Sequence, residues 1–172
     1  MMQSSVTLKQ ISILSGYSVS TVSKALNNKE DVNSATRKLI MEIAKNNNYV
    51  PNAFAIALRK QKTSIIAVIL PKTHDVFYSA LLCSIQKKAS KLGYRVLLFQ
   101  SFEKLNDEKA HLLAVNDGSV DGVIILSTNE LSEIIELVSL PVEYVYMNPI
   151  KNDTQSLTTH CIDRFENFIK AM

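Results

Sequence analysis

The sequence predicts an all-α helix-turn-helix head over residues 1–50, a hinge segment over 51–64, and part of a doubly wound parallel α/β sheet over 65–172. Three observations predict this. Residues 1–62 hold helix-capping signals and no convincing strand. From Ile65 onward, continuous apolar runs alternate with amphipathic stretches, as expected of strands buried on both faces and separated by helices. Charge divides the chain at the same place. Residues 1–62 carry nine Lys/Arg against three acids, net +6, and the other 110 carry ten against thirteen, net −3. A basic head on an acidic body suits a chain whose head alone approaches an anionic polymer.

Each element has its own justification. Thr7-Leu8-Lys9-Gln10 is a capping box that starts the first helix. Leu8, Ile11, Ser12 and Ser15 lie along its stripe, and Gly16 supplies the left-handed exit. A four-residue turn follows, and Ser18 caps a second helix with Val22, Ala25 and Leu26 inward, ended by Asn27-Asn28. The third begins near Asn33, faces inward with Leu39, Ile40, Ile43 and Ala44, and frays into Asn46-Asn47-Asn48. A generic three-helix bundle is the alternative for this pattern. Ala53 to Lys60 is rich in alanine but too short to hold a helix alone in water, so it is a conditional helix, followed by a polar linker, Gln61 to Ser64. Ile65–Leu70 is a strand. Leu81, Ile85, Ala89 and Leu92 mark a helix closed by Gly93. A strand at 95–99, a helix at 104–116, a strand at 122–126, a helix at 130–139 and a strand at 142–146 follow. Asp163 to Met172 reads as a helix that stops without a cap, so the chain is expected to end in mid-architecture.

Several functions are excluded or disfavoured. No run of eighteen apolar residues exists, and the N-terminus lacks a secretory leader's apolar centre, so the chain reads as soluble and cytoplasmic. Cys83 and Cys161 form no disulfide framework or zinc pattern. There is no GxSxG, HExxH, phosphate loop or GxGxxG, so no catalytic residue is assigned and the chain is not expected to be an enzyme. His74, His111 and His160 have no metal-ligand spacing, so neither metal nor cofactor is expected. Asp107-Glu108 reads as the solvated first turn of a helix.

The run from Val6 to Ile11, continuing from Ser15-Gly16-Tyr17-Ser18-Val19-Ser20-Thr21-Val22-Ser23-Lys24 to Asn27, resembles the DNA-binding headpiece of the lactose/galactose repressor (LacI/GalR) family of bacterial transcriptional regulators. The resemblance continues in Thr36-Arg37, Asn48-Tyr49-Val50-Pro51-Asn52, the Ala55/Leu58 pair, Val120 to Ile124, and Asp163-Arg164-Phe165-Glu166. It covers the first part of a typical member. It implies a periplasmic-binding-protein-like body after the head, here incomplete, and a dimer on a palindromic operator in full-length members.

A recognition helix reads bases near its N-terminus, which here means Val19 and Ser20, with Lys24 one turn on. Lys24 can donate to guanine O6/N7, Ser20 can bond several base edges, and Val19 can touch a thymine methyl. Ser18, Thr21, Ser23, Asn27, Asn33 and Thr36 are short groups suited to phosphate oxygens, and Thr7, Tyr49 and Asn52 are assigned to the DNA backbone with them. Ser18 and Asn33 also read as plain N-caps, and Thr21 as a packing residue. The resemblance makes Ala55 and Leu58 a minor-groove hinge, with Leu58 the apolar wedge between base steps. Ile56 stands where many members carry arginine.

On the body, ligands of such sheets sit at the carboxyl ends of strands. The loops concerned are Pro71 to Phe77, Ser127-Thr128, Tyr146 to Asn148 and the region of Asp163. His74, Asp75, Phe77 and Asp163 are effector candidates, with an ordinary loop role as the alternative. Tyr146-Met147 and Asn167 depart from the Asp-Arg and Gly that many members have. The leading expectation is a sequence-specific DNA-binding regulator, a repressor controlled by a sugar-related small molecule. The alternatives are a small-molecule-binding protein with a vestigial head and a fragment that folds only in its head. With an incomplete body, poor dimerisation and loss of effector response are expected.

Overall fold

The computed structural model describes residues 6–147 and 154–172. The chain divides into two compact units, Met1–Ile56 and Ala57–Met172, a boundary that falls inside the segment expected to be the hinge.

In the first unit, α1 (Leu8–Ser15), α2 (Val19–Leu26) and α3 (Ser34–Asn46) enclose a core of Ile11, Val22, Ala25, Val32, Ile40 and Ala44. Thr7 closes the capping box, its Oγ1 accepting from the Gln10 amide at 3.3 Å while its own amide donates to Gln10 Oε1 at 2.7 Å. Gly16 takes φ 72°, the left-handed exit its lack of a Cβ permits. Only Gly16, Tyr17 and Ser18 separate α1 from α2, one residue fewer than expected. Leu39, expected in the core, is 44% exposed: Ile40 and Ala44 cover the seam, and Leu39 turns away from it. The segment Ala53–Lys60 forms α4.

The second unit is a four-stranded parallel sheet ordered β2-β1-β3-β4, from β1 (Ile65–Leu70), β2 (Arg95–Gln100), β3 (Gly122–Ser127) and β4 (Val142–Tyr146). Its register pairs Val68 with both Leu98 and Ile124, and Ile125 with Tyr144. Side chains alternate between faces, so Ile66, Val68 and Leu70 join one core and Ala67 and Ile69 the other. On the first face lie α5 (Val76–Lys91) and α8 (Thr154–Ala171), through Leu81, Ile85, Ala89, Cys161, Phe165 and Ile169. The opposite face is covered by α6 (Leu105–Ala114), through Leu112, and by the region of α7 (Ser132–Ile135), through Leu131. Central strands packed on both faces need continuous apolar sequence, which β1 and β3 have.

Four sequence expectations change here. Leu92 is the C-cap of α5 and 40% exposed rather than part of its inward row, with Gly93 at φ 81° completing the exit. The helix expected over 130–139 is the single turn α7. Its end tightens into i→i+3 bonds, and the Ser139 amide donates to Asn116 Oδ1 at 2.9 Å, drawing the chain out towards β4. The last helix starts at Thr154, nine residues before Asp163, and Cys161 joins its packed row with Phe165 and Ile169. Finally, Glu108 is fully buried in α6 rather than solvated, because it faces the ends of β2 and β3.

Candidate nucleic-acid interface

The head presents one face of α2 to solvent and buries the other. Val22 and Ala25 are sealed in the core, whereas Val19 is 44% exposed and Ser20 and Lys24 are exposed. The residues expected to read bases therefore share the open side of one short helix, one turn apart. Ser18 Oγ accepts from the Thr21 amide at 3.2 Å and lies 2.9 Å from both Ser20 Oγ and Thr21 Oγ1, so three hydroxyls cluster at the helix start. This confirms Ser18 as an N-cap. A second role as a phosphate ligand would use the hydroxyl's remaining capacity.

The other expected backbone contacts are spread around this helix. Thr7 is exposed at the start of α1, and Asn27 Nδ2 donates to the Ser23 carbonyl at 2.7 Å at the end of α2. Asn33 caps α3, accepting from the Ala35 amide at 2.8 Å, and Thr36 Oγ1 donates to the Tyr17 hydroxyl at 3.4 Å. Tyr49 is partly buried against the core, and burial raises its hydroxyl pKa.

The contacts of Asp31 and Arg37 in the head escaped the sequence reading. Lys24 Nζ lies 2.5 Å from Asp31 Oδ2, and this hydrogen bond and charge hold the Asp31 carboxyl below the usual carboxylate range. Arg37 Nη2 donates to the carbonyls of Lys29 at 2.5 Å and Val32 at 3.3 Å, bracing the loop that carries Asp31. The only signal in sequence was an acid in a strongly basic head.

In α4, Asn52 Oδ1 accepts from the Ala55 amide at 3.2 Å, placing Asn52 as a cap as well as a candidate phosphate contact. Ala55 is exposed and Leu58 is 83% exposed, unusual for a leucine on an alanine-rich helix. The following Thr63-Ser64 is not a slack linker. The Asp121 carboxylate accepts from the Thr63 amide at 2.6 Å, the Thr63 hydroxyl at 2.8 Å and the Ser64 amide at 2.9 Å, fixing the chain as it enters β1.

The effector candidates divide. His74 is exposed in the loop after β1. Asp75 caps α5, accepting from the Phe77 amide at 2.8 Å, and Phe77 packs edge-on against Tyr78 with centroids 5.3 Å apart. Burial pushes the Tyr78 hydroxyl up to about 12. These three sit at the carboxyl end of β1, as the sheet topology requires of a ligand loop. Asp163 does not. It lies exposed within α8, because the terminal helix begins well before it. Asn148 lies outside the described residues. Among the described residues no cluster of His, Cys, Asp and Glu could hold a metal, and no helix is long and apolar enough to cross a membrane.

Residues 7–52 match the family model described as "Bacterial regulatory proteins, lacI family". Catabolite control protein A of Priestia megaterium is 33% identical over 152 residues, 87% of this chain and 46% of that protein. The HTH-type transcriptional regulator MalR of Clostridium butyricum is 31% identical over 97% of this chain and 51% of its own length. The chain thus spans about half the length of these curated relatives. A solved transcriptional regulator of the lacI family from Silicibacter pomeroyi shares 27% identity with a TM-score of 0.67, over 86% of this chain and 45% of that one. The lac repressor dimer bound to operator and the anti-inducer ONPF shares the fold, with a TM-score of 0.73 at 23% identity, over 82% of this chain and 44% of its own. These likenesses extend well past the head into the sheet, and residues 7–52 belong to the lacI family of bacterial regulatory proteins.

Proposed function

We propose that this chain is the operator-reading and hinge portion, with part of the effector body, of a bacterial cytoplasmic transcriptional repressor that responds to a sugar-related small molecule. It is a binding protein rather than an enzyme. The observation that carries the reading is the two-sided α2, with Val22 and Ala25 buried and Val19, Ser20 and Lys24 open to a major groove. The +6 balance of residues 1–62 supplies the attraction to phosphate. Thr7, Ser18, Thr21, Ser23, Asn27, Asn33, Thr36, Tyr49 and Asn52 set the register on the DNA backbone, and Ala55 and Leu58 enter the minor groove as a wedge. His74, Asp75 and Phe77 belong to the effector side, and the likeness to the lac repressor dimer bound to operator supports a homodimer on operator DNA.

The test is sequence selection from a randomised duplex pool, followed by titration at several salt concentrations. Binding should fall steeply with salt. Lys24→Ala should cost roughly 1–3 kcal/mol on the selected site and relax preference at one base pair. Equal weakening on all sequences would make Lys24 a phosphate contact and overturn its assignment.

A further inference from the structure

Lys24 is the least directed of the three proposed base readers. A lysine ammonium is a point charge on a flexible stem and has no fork to fix its geometry. In this head it is nevertheless held. Its Nζ meets Asp31 Oδ2 at 2.5 Å, with both side chains about half exposed, 53% and 54%. The partner is the better anchored of the two. Asp31 sits in the short loop between α2 and α3, which is tied down at several points. The Lys29 amide donates to the Lys24 carbonyl at 3.0 Å, Val32 is 7% exposed in the core, and Arg37 clasps the Lys29 and Val32 carbonyls. The braced loop sets where the carboxylate stands, and the carboxylate sets where the ammonium stands.

We infer that Asp31 is a positioning residue that determines the specificity of the head by holding the Lys24 ammonium beside the open face of α2. This rests on the proposed role of Lys24 as a base reader. Two consequences have opposite signs. Asp31 adds a negative charge near phosphates and so weakens binding to every duplex. It also keeps Lys24 from swinging to the nearest phosphate on a wrong sequence, leaving its ammonium for a site that offers guanine O6/N7 in the right place. Asp31 thus gives up affinity in general and gains discrimination, the difference of affinities that specificity consists of. Exposed ion pairs are weak, so the expected effect is modest, roughly two- to fivefold in the ratio of specific to non-specific binding.

The experiment uses the full chain, the duplex it enriches from a random pool, and a scrambled duplex of the same composition. Asp31→Asn should tighten binding to the scrambled duplex more than to the enriched one, lowering the ratio roughly two- to fivefold. Glu30, its exposed neighbour, makes no ion pair among the described residues, so Glu30→Gln should tighten both equally and leave the ratio unchanged. Asp31→Glu, which keeps the carboxylate, should retain the ratio. In a Lys24→Gln background, Asp31→Asn should no longer change it. An Asp31→Asn ratio like that of Glu30→Gln, or an equal change with and without Lys24, overturns the role of Asp31 alone. A chain that enriches no sequence overturns the DNA-reading function and this role together.

Discussion

Gly16 is where the turn between α1 and α2 depends on one residue's backbone. Its φ is 72°, and a Cβ built there would meet nothing within 4 Å. The cost of Gly16→Ala is therefore the left-handed backbone alone, about 1 kcal/mol. The expected readout is roughly fivefold faster amide exchange at Ile11 and Val22 under conditions where the head opens as a unit. No change would mean the turn relaxes freely. Glu108 poses the opposite case, a side chain whose surroundings are everything. Its carboxylate accepts from Ser101 Oγ at 3.1 Å, Ser127 Oγ at 2.8 Å and Asn129 Nδ2 at 3.1 Å, with the residue fully buried. Glu108→Ala leaves those donors without their acceptor and opens a void, and should cost about 2–4 kcal/mol. Glu108→Gln keeps the volume, and the two serine hydroxyls can rotate to accept, so it should cost about 1 kcal/mol. Urea midpoints at unchanged m decide it, and equal losses would show that the carboxylate's paired acceptor oxygens matter and its volume does not.

Among the elements, α8 is joined to its neighbours by charge as well as by Phe165 and Ile169. Glu166 pairs with Lys170 one turn on and with Lys88 of α5, and these hydrogen bonds hold its carboxyl at about 2, below the ordinary 4.5. Arg164 adds an ion pair to Glu143 of β4 at 2.5 Å. A carboxyl whose folded pKa is depressed stabilises the fold fully above its unfolded value and loses that contribution as pH falls through the folded one. Glu166→Gln should therefore melt below the unmodified chain at neutral pH, with a gap that is constant down to about 4.5, narrows below it and closes near 2. Thermal melts at stepped pH check this, and a gap persisting below pH 2 would assign the loss to packing instead. The same scale shows how far local signals reach. Capping box, left-handed glycine and buried strands were all legible. The helix over 130–139 was not, because the Asn116 side chain that captures the Ser139 amide lies 23 residues away in sequence.

Over the whole molecule, the division between sequence and tertiary structure follows the range of the forces. The sequence by itself determined the helical head and its caps, the outward placement of Val19, Ser20 and Lys24, the apolar strands, and the resemblance that points to a regulator. These rest on residues within a few positions of one another, where helix and strand periods convert spacing directly into a face. Only the tertiary structure decided the order β2-β1-β3-β4 and which helices cover which side of the sheet. It also decided that Glu108 goes inside, that Asp163 leaves the ligand loops, that Asp121 clasps Thr63 and Ser64, and that Asp31 meets Lys24. Each of these joins groups from different elements. Periodicity names a face without naming what that face will meet, and the meeting is chosen by packing and by the need of every buried polar group for a partner.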